Sequence, residues 1–363
     1  MLQNLARGAV AAIFAVAAAL GATPTQAQGG TPLKVAFVYV SPIGEAGWSY
    51  QHELGRRAMV QALGDQVQTT VVESVAEGPD SERVMRDLAA QGNRLIFATS
   101  FGYFEPALRV AADYPQVKFE HAGGYRTLPN LGTYNGRFYE GRYLAGYLAG
   151  KMSRSGVAGY VAGFPLPEVI QGVNAFALGM REANPRAQVK LVWLDTWFDP
   201  AKERDAALAL VAQGADVLAN HSASPAVAQA AEDKGVMFTG YTSDMRRFAP
   251  HAQLTAVVHD WGGYYTRVAR AVIDGSWKPT PAWGGMKDGF VTLAPLNERV
   301  PADVAQTIEA KRRAIVEGRL LPFSGRLVDN RGQVRLARGA LDDPAIASMN
   351  WLAQGVVGSL PKP

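Results

Sequence analysis

The sequence predicts an α/β protein made of two doubly wound parallel-sheet lobes. Three observations carry that expectation. Short apolar runs alternate with helical stretches, the alternation falls into two successive blocks, and a C-terminal remainder fits neither block. The runs at 34–40, 69–73, 95–98, 117–121 and 131–134 have the length and composition of buried parallel strands. So do 157–161, 189–194, 217–219, 236–239 and 254–258. Helical stretches at 47–64, 79–91, 104–113 and 139–151 punctuate the first set, and 167–183, 200–213, 225–234 and 261–274 the second. Pro79, Pro167, Pro200 and Pro225 open helices at their first turn, where a missing N–H costs nothing. Gly64, Gly92, Gly214 and Gly235 close them.

The first block covers about 32–150 and the second about 155–255, with a polar, turn-rich seam at 151–156. The expected division is 28–150 plus about 258–290 for lobe 1, and 151–257 plus about 291–363 for lobe 2. A remainder with no block of its own implies that the chain crosses back between lobes. Such a body suits ligand capture by hinge closure. Ligands of open parallel sheets lie beyond the carboxyl ends of the strands, which directs the search for a site.

Composition narrows the chemistry. At ~100–200 residues per domain, 363 residues imply two domains. Charged residues make up 19%, too few for a coiled coil or an acidic disordered chain. The absence of cysteine excludes a disulfide scaffold, a thiol nucleophile and cysteine-held metal. It also excludes lipid attachment through a cysteine. Lys and Arg number 36 against 32 Asp and Glu, with no long basic block, so no nucleic-acid partner is expected. Residues 1–27 read as a secretory signal: Arg7, an apolar run over 9–22, and small residues before a cut after Ala27. The run is shorter than the ~20 residues of a spanning helix. The expectation is an exported, soluble, periplasmic protein without a lipid anchor. Motifs for a nucleophile elbow, a phosphate loop, a dinucleotide fold or a zinc protease are absent, and the five histidines are dispersed. Neither catalytic residues nor a cofactor or metal is expected.

Candidate ligand contacts cluster after the strands. Trp48 sits in a glycine-flanked loop with Glu45, placed either as a plate under a flat ligand or as inter-lobe packing. Phe101 and Tyr103 surround Gly102 at another strand end, and at least one aromatic of this segment belongs to the core. In the second block Trp197 follows a strand, and Asp199 either contacts ligand or caps the helix opened by Pro200. Asn220 offers donor and acceptor to a heteroaromatic edge, and Ser222 can do the same. Tyr241, Asp244 and His259 complete the set.

With these residues in view, the chain resembles the BMP family of periplasmic binding proteins, the purine-nucleoside receptors of ABC importers. The resemblance spans nearly all of 32–300. It rests on the segment from Val35 to Gly55, on Ser100-Phe101-Gly102, and on Tyr139-Glu140-Gly141-Arg142-Tyr143-Leu144-Ala145-Gly146. It rests also on Phe198-Asp199-Pro200-Ala201-Lys202 and Gly240-Tyr241-Thr242-Ser243-Asp244. The resemblance implies a type I periplasmic binding protein fold with a three-crossover hinge. It also implies a monomer that hands a small heterocycle to an ABC permease in the inner membrane, without chemistry. Trp48 stands where the family has a base-stacking Phe, and Trp197 where the second lobe offers the other aromatic. Thr242 replaces an acidic ribose contact and His259 a lysine, while Tyr241 fills sugar space. These departures favour a free purine base, adenine-like, with Glu45, Asn220 or Asp244 reading its edge. The alternatives are a nucleoside or flavin-like ligand, or an exported nucleoside hydrolase requiring Asp199, Asp244 and Asp260 to converge.

Overall fold

A computed structural model describes residues 31–361. The expected signal segment, 1–27, lies outside the described residues. The first lobe alternates β1 (Leu33–Val38), α1 (Trp48–Leu63), β2 (Val67–Val72), α2 (Pro79–Ala90), β3 (Leu95–Ala98), α3 (Phe104–Asp113), β4 (Lys118–Ala122) and β5 (Leu131–Gly136). The second runs α4 (Phe138–Met152), β6 (Val157–Ala162), α5 (Pro167–Ala183), β7 (Gln188–Trp193), α6 (Pro200–Ala212), β8 (Val217–His221), α7 (Ala226–Lys234), β9 (Met237–Thr242) and β10 (Gln253–His259). The chain returns with α8 (Gly262–Ile273) and β11 (Pro281–Gly284), then crosses again to β12 (Val291–Leu293) and α9 (Ala302–Val316). It ends in β13 (Leu327–Val328), β14 (Val334–Leu336), α10 (Asp343–Ala347) and β15 (Val356–Val357).

The two sheets have the strand orders β2-β1-β3-β4-β5-β11 and β15-β7-β6-β8-β9-β10-β12. Every pairing within them is parallel except β10 with β12. This is the expected doubly wound α/β arrangement, with three crossings at Gly136–Phe138, His259–Gly262 and Gly284–Val291. Both faces of the first sheet are buried. Val35, Phe37, Leu95 and Phe97 enter one core, while Ala36, Val38, Ile96 and Ala98 enter another. That is why these strands read as continuous apolar runs instead of alternating ones.

The expected boundary at 150/151 needs correcting. The polar 151–156 segment ends α4 and does not separate the lobes. The chain leaves the first sheet at Gly136, and α4 packs along α5 beneath the second sheet. β10 belongs to the second sheet, whereas α8 packs on α1 of the first lobe. The α4–α5 contact explains Gly146 of the Tyr139–Gly146 string and Gly150 one turn beyond it. A Cβ on Gly146 would lie 2.0 Å from the Phe176 carbonyl oxygen, and one on Gly150 2.4 Å from that of Met180. From the other side, a Cβ on Gly179 would lie 2.0 Å from the Tyr143 oxygen. The tail then covers this pair. Lys311 of α9 pairs with Glu182 at 2.5 Å. The buried Asn174 amide donates to the Trp351 carbonyl and accepts from the Ala353 N–H, both at 2.7 Å.

Gly179→Val forces these backbones apart and should cost about 1–3 kcal/mol or more, the scale of an overpacked core. Denaturant unfolding should show a clear fall in midpoint. Gly263→Ala, at an exposed glycine of α8, should be neutral or stabilising.

Candidate functional site

The carboxyl ends of both sheets face each other across a cavity of about 500 Å³. Trp48, Phe101, Trp197, Ser222 and Tyr241 all line it, as the sequence reading expects of a site at strand ends. Trp48 opens α1, and its indole N–H donates to the Thr99 carbonyl at 2.5 Å. It stands edge-on to His52, with ring centroids 4.6 Å apart, and to His259 at 5.7 Å. Trp197 follows β7 and meets Phe164 edge-on at 4.9 Å. A Cβ on Gly163 would lie 2.7 Å from the Trp197 ring, so that residue is glycine for close approach. Ser222 follows β8 and donates to Glu203 at 2.7 Å. Burial pushes the Glu203 carboxyl up to about 7.

The other six candidates do not line the cavity, each for a local reason. Glu45 is exposed and pairs with Arg247 at 2.8 Å. Tyr103 is core, its hydroxyl donating to the Val75 carbonyl at 2.6 Å. Asp199 caps α6, accepting from the Lys202 N–H at 3.1 Å. Asn220 is fully buried and turned along its own strand end, donating to the Ser222 carbonyl at 3.2 Å. Asp244 is taken by Arg246 and by the Gln253 amide at 2.7 Å. His259 is buried and stacked on Phe138 with centroids 3.9 Å apart. Nor do Asp199, Asp244 and Asp260 converge on the cavity; Asp260 accepts from the Gly262 N–H at 3.0 Å.

Polar groups outside the expected set face the cavity instead. Glu168, next to helix-opening Pro167, is a lining carboxylate. It accepts from Asn135 of the opposite lobe at 2.9 Å and lies 3.7 Å from His221. Burial lowers the pKa of His221 despite this carboxylate. Gln171, also lining, is fixed by donating to the Ile346 carbonyl at 2.8 Å. The visible signal for Glu168 was a strand–loop–Pro–Glu sequence, which also describes ordinary helix starts.

The lobes touch, so this is a closed arrangement. The Gly47 N–H donates to the Ser243 hydroxyl at 2.8 Å, and that hydroxyl lies 3.2 Å from the Gly47 carbonyl. Gly47 has φ +98°, and a Cβ there would lie 2.0 Å from the Ala223 carbonyl oxygen. Thr242 beside this contact has φ 65°, a costly conformation for a β-branched residue. Gly47→Ala should therefore keep each lobe folded but block closure. Small-angle scattering should show it open at ligand concentrations that close the wild type.

His52 is pushed down to about 3 by burial, and burial also drives His259 well below its ordinary range. Below pH about 6.5 the unfolded chain binds protons that these folded histidines refuse. Stability is thus lost as pH falls from 6.5 toward their depressed pKa values. Glu203 works in the opposite sense between about 4.5 and 7. The melting temperature should fall on acidification below pH 6.5, and His259→Phe should flatten that fall.

The family description "ABC transporter substrate-binding protein PnrA-like" matches residues 33–321. A purine-binding protein of Brucella abortus is 49% identical over 331 residues, 91% of this chain and 94% of that protein. A Haloferax volcanii protein named as an ABC transporter glucose-binding protein is 39% identical over 332 residues, 92% of this chain and 82% of its own. Two solved structures share the fold. An ABC solute-binding protein of Conexibacter woesei has TM-score 0.66 and 24% identity, covering 80% of this chain and 98% of its own. One from Aeropyrum pernix has TM-score 0.69 and 19% identity, covering 80% and 93%. Among the described residues, no helix is long and apolar enough to cross a membrane. The chain belongs to the Bmp family of PnrA-like ABC transporter substrate-binding proteins.

Proposed function

We propose that the protein is the periplasmic receptor of an ABC importer for a purine base, adenine-like, held between Trp48 and Trp197 by hinge closure. The observation that carries this reading is that two tryptophans, one from each lobe, line a single cavity. Flat heteroaromatic rings gain from such faces whatever their substituents. The Brucella relative's name as a purine-binding protein supports the same ligand class. Edge recognition passes from Glu45, Asn220 and Asp244 to Glu168, with Ser222 kept from the expected set, and the Glu168 carboxylate is suited to the N–H groups of a purine edge. A base is favoured over a nucleoside because Asp244, the acid of the Gly240–Asp244 segment, is engaged by Arg246 and Gln253. Thr242, which lines the cavity, is uncharged. The loaded, closed form would then present both lobes to the permease.

Calorimetry on ligand-free, refolded protein should rank purine bases above pyrimidines, nucleosides and glucose. A nucleoside binding tighter than every base overturns the base assignment, and glucose binding tightest overturns the purine reading. Trp197→Ala and Trp48→Ala should each weaken base binding at least about tenfold, the scale of ~1–3 kcal/mol per stacked base.

A further inference from the structure

Glu203, in the first turn of α6, is fully buried, yet among the described residues no cation meets its carboxylate. One oxygen, Oε1, accepts from the Asp199 N–H at 3.3 Å, the usual return bond of a helix cap. A cap of that kind works equally well in solvent and gives no reason to bury an acid, which is costly. The second oxygen supplies the reason. Oε2 accepts the Ser222 hydroxyl at 2.7 Å, and Ser222 lines the ligand cavity while Glu203 does not. The loops that carry Trp197 and Ser222 are joined further by the Ala223 N–H, which donates to the Trp197 carbonyl at 2.9 Å.

A serine hydroxyl has one hydrogen and two lone pairs, so it serves a ligand either way until its hydrogen is claimed. An ionised carboxylate only accepts. It claims that hydrogen and leaves Ser222 Oγ with lone pairs for the cavity. Two other lining hydroxyls are committed in the same sense. Ser100 donates to Glu77 at 2.6 Å, and Thr242 to the Tyr241 carbonyl at 2.5 Å. Two lining donors lack partners, the Trp197 indole N–H and the Tyr241 hydroxyl, and both suit ring nitrogens that amino- and oxopurines share. A ligand edge that meets acceptors must bring N–H groups. A carbonyl placed there loses its water and gains no partner.

We propose that Glu203 is a specificity-determining residue that acts through Ser222. By holding the serine hydrogen, it makes the site prefer a purine with an amino group to one with a carbonyl at the same ring position. This rests on the purine-base reading and adds to it a residue outside the cavity. Aminopurines and oxopurines share shape and aromatic faces, so stacking on tryptophan does not separate them. The distinction falls to the hydrogen-bonding edge, where a site built for one donor–acceptor pattern rejects another.

The test is calorimetry of adenine and hypoxanthine at pH 8, above the value of about 7 to which burial pushes the Glu203 carboxyl. The wild type should prefer adenine by about tenfold or more. Glu203→Gln keeps the side chain's shape. The introduced oxygen stays with the Asp199 N–H, which cannot reverse, so the introduced amide N–H faces Ser222 and releases the hydroxyl hydrogen. The preference should then fall to within about threefold. A residue that only held the loop would weaken both bases alike and leave the preference unchanged. Ser222→Ala should lower the preference to the same extent, and the double variant no further. Ser222→Ala also reports on its own should Glu203→Gln fail to fold. An equal or reversed preference in the wild type overturns the proposal, as does a full preference in either single variant or additive losses in the double variant. Binding of neither base by the wild type overturns the purine-base reading together with it.

Discussion

The close approach of α4 and α5 is the constraint on which the rest of the molecule depends. Three glycines let the backbones meet where any side chain would collide with a carbonyl oxygen. That contact fixes α4 to the second lobe immediately after the first crossing, so the hinge begins at Gly136. It also places Arg142 beneath β8 and β9, and it sets α5 so that Glu168 and Gln171, near its N-terminus, face the cavity. Gly141 continues the same logic one turn earlier, where a Cβ would lie 2.6 Å from Val257 of β10. Interiors packed to crystal-like density leave no slack for such a shift to be absorbed.

Closure rests on a different balance. Among the described residues the cross-lobe polar contacts include a glycine backbone against Ser243, an exposed Glu45–Arg247 pair, the Asn135–Glu168 hydrogen bond and the Gln51 amide donating to the His259 carbonyl. Exposed ion pairs contribute about 0–1 kcal/mol. A small set of such contacts would suit the proposed hinge closure, because a latch strong enough to hold by itself would close without ligand. On the proposed reading, the ligand would supply the difference through surface it buries from both lobes.

Much of the fold was legible because its signals are local. Apolar runs, first-turn prolines and terminal glycines located the ten strands and eight helices up to Ile273 within a few residues. The lobe boundary was not, because polar composition marks any helix end and only tertiary contact shows which sheet α4 serves. β11 and β12 escaped for another reason. They are four and three residues long and take their register from neighbouring strands, not from their own pattern. At the site, strand-end position found the tryptophans and Ser222, whose environment follows from topology. It failed for Asp244 and Glu45, whose partners Arg246 and Arg247 lie in the same loop and compete for the carboxylates. It failed for His259 because a strand-end residue can face the core as readily as the cleft.

The electrostatic character of the cavity follows from these placements. His221 lines it with a lowered pKa, and burial likewise keeps His259 and His52 neutral just behind Trp48. Asp244 and Glu45 are neutralised by arginines away from it. What faces the ligand is aromatic surface with a single carboxylate, Glu168, and a few hydroxyl and amide groups. A charged ligand would have to shed its hydration for rings that return little of it, except a cation placed at Glu168. An uncharged heterocycle loses little hydration from its faces and can direct its N–H groups at that carboxylate. Such a wall would reward flatness and penalise charge, so the proposed selectivity would come from burial and packing more than from matched ions.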